Sequence, residues 1–391
     1  MTRSSACVLV LGLALGACPA AQHQSPVRQA RAGWDALNAG RPADAAAAFD
    51  QALRSWPEEP SLLLGAGVSA HLLGQGEAAR RFLVDALRYD PSLAAASLLL
   101  GEVLYRASDL TGAIQVYEQA LAHAPQHKQL LAKLEAWRKE ASLHDRFAQK
   151  LGDHFTVLFE GPAEAELAAK AVEALEGAYW RIGSALYTYP NEVITVVLYT
   201  REQFRDITGS PDWAGGAYDG RIRVPVLGAM KNLPEFQRVL AHEFTHALVR
   251  SIASRGVPQW LNEGLAMNFD GSSLPAHLAR VEEARSRHAL TKLEGSFAGM
   301  ESAAAALAYA QSAAAVRRLI DDAGSAAIVG ILTDLARGFG FPEAFERNTN
   351  ISYLEFQKGG RLFPASSFQL PASSSSFAVS PTFDSSPPPP P

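Results

Sequence analysis

Two histidines and a glutamate are spaced so that they could serve one metal ion, in His242-Glu243-Phe244-Thr245-His246. Apolar residues recur around them at helical spacing, namely Phe236, Val239, Leu240, Ala247 and Leu248. Positions four apart share one face of a helix, so the pattern predicts that His242 and His246 bind one Zn²⁺ together. Glu243 would lie beside the metal and take a proton from a metal-bound water, whose pKa the ion lowers to about 7.

A third acidic ligand is expected where the chain turns back toward the histidines. Gly256 and Pro258 are predicted to end one helix and begin the next, in which Trp260-Leu261-Asn262-Glu263-Gly264-Leu265-Ala266 follows. At about 1.5 Å per residue, the path from His246 to the turn is roughly 12 Å and the return to Glu263 roughly 8 Å. Three protein ligands and one position for water are typical of a catalytic zinc site. The next acids to test are Glu235, Asp270 and Glu282.

These two segments resemble the gluzincin peptidases, and residues 260–266 are very similar to the glutamate motif of zinc aminopeptidases in that clan. Residues 150–360 resemble the peptidase-MA-like domains of bacterial proteins with helical repeats. The resemblance implies a zincin-like α+β fold, with His242, His246 and Glu263 as zinc ligands and Glu243 as general base. The exopeptidase signature is not found in working form, because Gly228-Ala229-Met230-Lys231-Asn232 has a lysine in place of the acid. Cleavage inside or at the end of a chain therefore stays open.

A hydrolytic site also needs a donor for the oxyanion that develops in the transition state. Tyr309, on a later predicted helix, is the first candidate, because related peptidases use a tyrosine on a helix after the glutamate motif. The alternative interpretation is that Tyr309 is a core aromatic residue whose hydroxyl is hydrogen-bonded within the protein. Tyr218, in a predicted hairpin, is the second candidate.

The elements that would position these residues follow an α+β pattern from residue 155 onward. Residues 155–159 and 193–199 are predicted strands, 163–187 a helix, and 215–224 a hairpin with Asp219-Gly220 as its turn. If the strand after Asp219 is an edge that pairs with an extended substrate, Arg221 and Arg223 are expected to face the cleft or solvent. The alternative, which we favour, is that these charges protect an exposed sheet edge from aggregation. Further helices are predicted over 302–323, with Ser302 as N-cap, over 326–337 after a break at Gly324, and over 342–347.

A period of 34 residues precedes this domain. Small residues and prolines recur in four position classes: Gly33, Gly67 and Gly101; Ala45, Ala79 and Ala113; Ala52, Ala86 and Ala120; Pro57, Pro91 and Pro125. Over residues 27–140 this resembles the tetratricopeptide repeat, in which paired helices stack and offer a concave face to a peptide or protein partner. A spacer role is the alternative. Because repeats contact mainly their neighbours, the pattern predicts that the second domain folds without residues 27–140.

The first 18 residues are predicted to be a lipoprotein signal peptide. Arg3 and an apolar stretch over residues 6–15 precede Leu15-Gly16-Ala17-Cys18, which resembles a lipobox. This implies lipidation of Cys18 and a lipid-anchored, periplasm-facing place in the bacterial cell envelope; the alternative is an ordinary signal peptide with an incidental cysteine. At the other end, residues 364–391 are rich in serine and proline and are predicted to be disordered.

Composition excludes one class of partner and leaves two functions. The 391 residues carry a net charge of -5 with no long basic run. The sequence therefore lacks the basic cluster that is typical of nucleic-acid-binding proteins. The motifs predict a zinc-dependent peptidase of the cell envelope. The alternative is a repeat scaffold with an inactive or structural zinc domain, against which Glu243 argues, since a structural site needs no base.

Overall fold

A computed structural model describes residues 26–209, 215–226, 228–284, 288–297 and 299–358. The predicted leader with Cys18 and the predicted disordered tail lie outside these described residues. Within the described ranges, no helix is long and apolar enough to cross a membrane.

Helical pairs form the N-terminal unit. Its helices are α1 Pro26–Asn38, α2 Pro42–Leu53, α3 Pro60–Leu72, α4 Gly76–Tyr89, α5 Ala94–Arg106, α6 Leu110–His123 and α7 Lys128–His144. At Gly33, Gly67 and Gly101 an added Cβ would collide with a large side chain of the partner helix, respectively Phe49, Leu83 and Tyr117. The repeating glycine thus lets each pair of helices approach closely, and the predicted tetratricopeptide-like fold is confirmed.

A mixed sheet begins the second unit. Its strands are β1 Phe147–Leu151, β2 Phe155–Glu160, β3 Ile194–Tyr199, β4 Ala217–Tyr218 and β5 Ile222–Pro225, in the order β1-β2-β3-β5-β4. The inner strands β2, β3 and β5 are parallel, whereas β1 and β4 pair antiparallel at the two edges. The α+β fold class and the hairpin turn at Asp219-Gly220 are therefore as predicted, while β1 was not predicted.

Helices pack on this sheet and then extend away from it. They are α8 Ala165–Leu186, α9 Arg201–Thr208, α10 Leu233–Ile252, α11 Gln259–Phe269, α12 Leu274–Glu283, α13 Ser302–Ala336, α14 Phe341–Thr349 and α15 Tyr353–Lys358. Phe155 and Val157 point to one face of the sheet and join α8 and α10 in a core. A second core surrounds Trp260 of α11 and includes α13, α14 and α15. Helix α10 contributes to both cores, so its position is fixed from two sides.

Helix α13 matches its prediction in one respect and departs from it in another. Gly324 adopts φ 78° and interrupts the helical geometry, as predicted for the break. Ser302, however, is the first helical residue, and the N-cap is Glu301, whose side chain makes no capping hydrogen bond. The prediction of Ser302 as N-cap is wrong by one position.

Arg221 and Arg223 are buried, which contradicts the prediction that they face the cleft or solvent. Ile222 and Val224 point into the core with α10, so Arg223 faces the opposite side of the sheet, where the repeat unit covers it. The carboxylate of Glu140 on α7 accepts from Arg221 Nη1 at 2.7 Å and lies 2.9 Å from Arg223 Nη1. Between 1% and 4% of these three side chains is exposed.

We use the name interunit ion network for Glu140, Arg221, Arg223 and the groups that bind them. Hydroxyl groups belong to this network. Arg223 donates to the hydroxyls of Tyr199 and Tyr105, each at 2.7 Å, and Tyr105 donates to Glu140 at 2.7 Å. Since Tyr105 and Glu140 belong to the repeat unit, the two units share buried polar contacts. The repeat pattern predicts that the second unit folds alone, but these contacts indicate the opposite. Deleting residues 27–140 removes Glu140 and Tyr105, leaves Arg223 only its partners Asp219 and Tyr199, and is therefore expected to destabilise the second unit.

Candidate metal centre

Helix α10 carries three of the candidate site residues and is defined at both ends. Asn232 caps its start by accepting from the backbone N–H of Glu235, and Pro234 occupies the first turn. The chain leaves the helix at Ala253, turns through Gly256 at φ 77°, and enters α11 after Pro258. This turn returns α11 toward the middle of α10, as the predicted spacing required.

The structure brings His242, His246 and Glu263 together, with one ligand atom of each within 4.8 Å of the others. Glu263 Oε2 lies 3.3 Å from His242 Nε2 and 3.5 Å from His246 Nε2. Two ligands bound at about 2.0–2.2 Å with tetrahedral angles lie roughly 3.3–3.6 Å apart. The oxygen is also buried and has no hydrogen-bond partner among the described residues. Spacing, donor type and this unsatisfied atom fit a zinc ion.

Two side chains that the sequence did not single out for this purpose orient the ligands. Asp270, at the end of α11, accepts from His242 Nδ1 at 3.1 Å, which leaves Nε2 free to bind a metal. Asp270 is held in turn by Arg238 Nη1 at 2.8 Å. Gln259 donates to Glu263 Oε1 at 2.7 Å, so the other oxygen of Glu263 faces the histidines. Asp270 had been named only as a substitute ligand.

Charges within this buried cluster shift the pKa values of its members. Burial alone would lower the pKa of His242, but the carboxylates of Asp270 and Glu263 outweigh it and raise that pKa to about 10. Burial alone would raise the pKa of Glu263, but His246 and His242 hold it well below its usual range. Asp270 and Glu263 thus place negative charge around the histidine rings, which favours a bound cation.

Glu243 lies next to the three candidate ligands without joining them. It lines the same cleft, which has a volume of about 390 Å³, and only 6% of the residue is exposed. Burial raises the pKa of its carboxyl, against the opposing charge of His246 and His242. Gly216 approaches so closely that an added Cβ would lie 2.6 Å from Glu243 Oε1. The glycine before β4 thus lets the sheet edge form the wall opposite the base.

Both candidate tyrosines line the cleft, but their charged neighbours differ. Burial raises the pKa of Tyr309, with Glu263 and Glu243 adding to the effect. Burial also raises the pKa of Tyr218, whose charged neighbours are led by Arg250 and Asp219. Of the two tyrosines, Tyr309 is therefore the one whose leading charged neighbours belong to the candidate site.

Gly264 allows the helix that carries Tyr309 to come close. An added Cβ at this position would meet the backbone of Ser312 and the side chain of Val316, both on α13. The glycine after Glu263 therefore sets the distance between the glutamate helix and the tyrosine helix.

Comparison with known proteins agrees with this architecture. A family model of the Peptidase MA superfamily matches residues 181–354, and one of the tetratricopeptide repeat matches residues 31–83 and 73–128. A search of curated proteins gave no match. Among solved structures, the first TPR of Spaghetti (RPAP3) bound to HSP90 peptide SRMEEVD is similar over 31% of this chain and 98% of that chain, at 17% identity and a TM-score of 0.29. The chain thus consists of helical repeats that match the tetratricopeptide-repeat model, followed by a domain that matches the Peptidase MA superfamily model.

Proposed function

We propose that the second unit is a zinc-dependent peptidase of the gluzincin type. The observation that carries this is the unsatisfied Glu263 oxygen, 3.3 and 3.5 Å from the two histidine Nε2 atoms, with Glu243 in the same cleft. When bound, a zinc ion supplies Lewis acidity, which lowers the pKa of water and polarises a carbonyl group.

The side chains around the cleft have separable tasks in this proposal. His242, His246 and Glu263 hold the metal. Asp270 orients His242, and Gln259 orients Glu263. Glu243 accepts the proton of the attacking water and passes it to the leaving amine, a role that its raised pKa suits. Among the described residues, β4 is the last strand of the sheet, and an extended peptide would bind there by strand addition.

The alternative function is a repeat scaffold in which the zinc domain is inactive or structural. A structural zinc site is normally closed by a fourth protein ligand. Among the described residues, the metal-ligating group contains three residues, and the side chain beside it is the carboxylate of Glu243. This arrangement favours hydrolysis over a purely structural role.

Digestion of unstructured peptides by the purified full chain tests the proposed function. We expect cleavage by the zinc-loaded protein, loss of cleavage when a chelator removes the metal, and recovery when zinc is returned. Mass spectra of the products also show whether cleavage is internal or terminal. Absence of cleavage by a chain that holds one equivalent of zinc would support the scaffold instead.

Tyr309 is expected to stabilise the oxyanion, because its phenol lies in the field of Glu263 and Glu243. Removal of one such donor typically costs about 10²- to 10³-fold in kcat. We therefore expect Tyr309→Phe to lower kcat by that factor with little change in KM. Tyr218→Phe is the matched control and should change kcat by less than about tenfold. A reversed order of the two effects would assign the oxyanion to Tyr218.

We further propose, from the leader alone, that lipidated Cys18 anchors the protein in the bacterial cell envelope, facing the periplasm. The repeats would then present a protein partner or the substrate to a membrane-held peptidase. If Cys18→Ala protein stays in the membrane fraction, the lipid anchor is wrong.

A further inference from the structure

Two arginines share the cleft with the candidate metal ligands. Arg250 follows His242 and His246 at the same four-residue interval, so it lies on the same face of α10 and one turn beyond His246. Arg255 comes from the turn between α10 and α11, and both side chains line the cleft. The catalytic cleft is thus flanked on one side by cationic groups.

Neither arginine forms an ion pair within the described parts of the chain, although the charge of Asp219 reaches Arg250. Arg238 on the same helix pairs with Glu235 at 2.6 Å and with Asp270 at 2.8 Å, whereas no such ion pair involves Arg250 or Arg255. Both residues are half-buried. Burial lowers the pKa of both, and nearby Arg106 lowers that of Arg250 further.

The repeat unit adds positive charge to the same place. The β4–β5 turn at Gly220 packs against the backbone of Arg106 at the end of α5. Burial lowers the pKa of His71, and the charges of Arg106, Arg250 and Arg255 lower it further. Cationic groups from both units therefore converge beside the cleft, where Asp219 offsets part of the charge of Arg250.

Unpaired guanidinium groups in a half-buried cleft are suited to an anionic ligand. Their planar forks match the two oxygens of a carboxylate, and charge-assisted hydrogen bonds of this type are among the strongest in proteins. The four residues from His246 to Arg250 rise about 6 Å along the helix, and an extended peptide advances about 3.3 Å per residue. A carboxylate held by Arg250 would thus lie roughly two residues from the bond next to the metal ligands.

We propose that Arg250 and Arg255 form a carboxylate-binding subsite, so that the cleft selects peptides with an acidic side chain or a free C-terminus about two residues from the cleaved bond. Arg106 of the repeats strengthens the field of this subsite. The inference rests on the proposed peptidase function for the cleaved bond, but carboxylate binding itself can be measured without turnover.

The test measures binding of labelled peptides to the zinc-loaded full chain carrying Glu243→Gln, which prevents cleavage. The first pair of peptides has blocked ends and differs only by one Glu against Gln. The second pair has no acidic side chain and differs only by a free against an amidated C-terminus. We expect about tenfold to hundredfold tighter binding of the charged member in at least one pair, with the ratio falling as salt is raised. The pair that shows the ratio identifies the source of the carboxylate.

Arginine variants then locate the subsite. Arg250→Gln and Arg255→Gln should each reduce the ratio several-fold, whereas Arg31→Gln, whose side chain is 84% exposed on α1, should leave it unchanged. Equal binding of both members of both pairs overturns the proposal, and this comparison does not depend on how any arginine variant folds. The proposal is also overturned if Arg250→Gln and Arg255→Gln both keep the binding ratio measured without an arginine substitution. If the parent chain cleaves neutral peptides without any preference for acidic ones, the proposed subsite is wrong and the proposed peptidase function stands.

Discussion

Glu243→Gln is expected to abolish most peptide cleavage while the protein keeps its zinc and its stability. The substitution preserves the volume of the side chain and removes the carboxylate that must accept a proton from water. General-base catalysis contributes about 10²- to 10⁴-fold, which corresponds to roughly 3 to 5 kcal/mol of activation free energy. Steady-state kinetics on one cleaved peptide, with zinc content from elemental analysis, measures both quantities.

The control for this variant is Glu282→Gln, at an exposed acid of α12 in the same domain. It should keep the kcat of the parent chain. Full activity of Glu243→Gln would refute the assigned base. Loss of zinc from that variant would instead show that Glu243 is a ligand, which its place outside the three-residue group argues against.

Glu140→Gln is expected to lower the free energy of unfolding by about 3 to 5 kcal/mol, because among the described residues it leaves buried Arg221 without a counter-charge and leaves Arg223 paired with half-exposed Asp219 alone. The side chains of Arg223, Arg221 and Glu140 are 1%, 4% and 2% exposed. Glu118→Gln is the matched control. Glu118 lies on α6 and pairs at an exposed site with Arg138, which lies on α7 as Glu140 does. That pair should contribute less than about 1 kcal/mol. Denaturant unfolding of the three proteins checks both values.

The effect of Glu140 should also depend on pH. Burial alone would raise the pKa of Glu140, but Arg223 and Arg221 outweigh it and hold that pKa below its usual value. A group with a lowered folded-state pKa stabilises the protein above its unfolded pKa, here about 4.5, and loses that contribution as pH falls through the folded value. The difference between parent and Glu140→Gln should therefore be full at neutral pH and shrink in acid. A difference independent of pH would contradict the charge pairing.

The parts of the fold that follow a sequence period could be predicted, because a period records contacts between neighbouring helices or strands. The repeated glycines mark where each helix pair meets, and the alternation in β2 marks the face that α8 and α10 cover. The exposed strand β1 lacks such a signal, since four of its five residues are exposed. Its place in the sheet depends on pairing with β2 rather than on its own composition.

The interunit ion network could not be predicted, because its members are far apart in sequence and belong to different units. Arg223 shows only that a strand carries a charge, and an exposed edge is the ordinary explanation of that. The deciding fact is that Glu140 and Tyr105 cover this face of the sheet. For the same reason, the spacing of His242 and His246 predicted the candidate ligands, whereas Gln259 and Asp270, which orient them, gave no recognisable pattern.

Locating zinc directly tests the central claim, which is that His242, His246 and Glu263 hold a catalytic metal with an open position. The measurement is anomalous X-ray scattering at the zinc absorption edge from crystals of the zinc-loaded full chain. We expect one peak about 2.0–2.2 Å from Nε2 of each histidine and from a carboxylate oxygen of Glu263, with no fourth protein ligand. A peak elsewhere would contradict the account. So would a fourth side chain that closes the coordination sphere, because the site would then be structural.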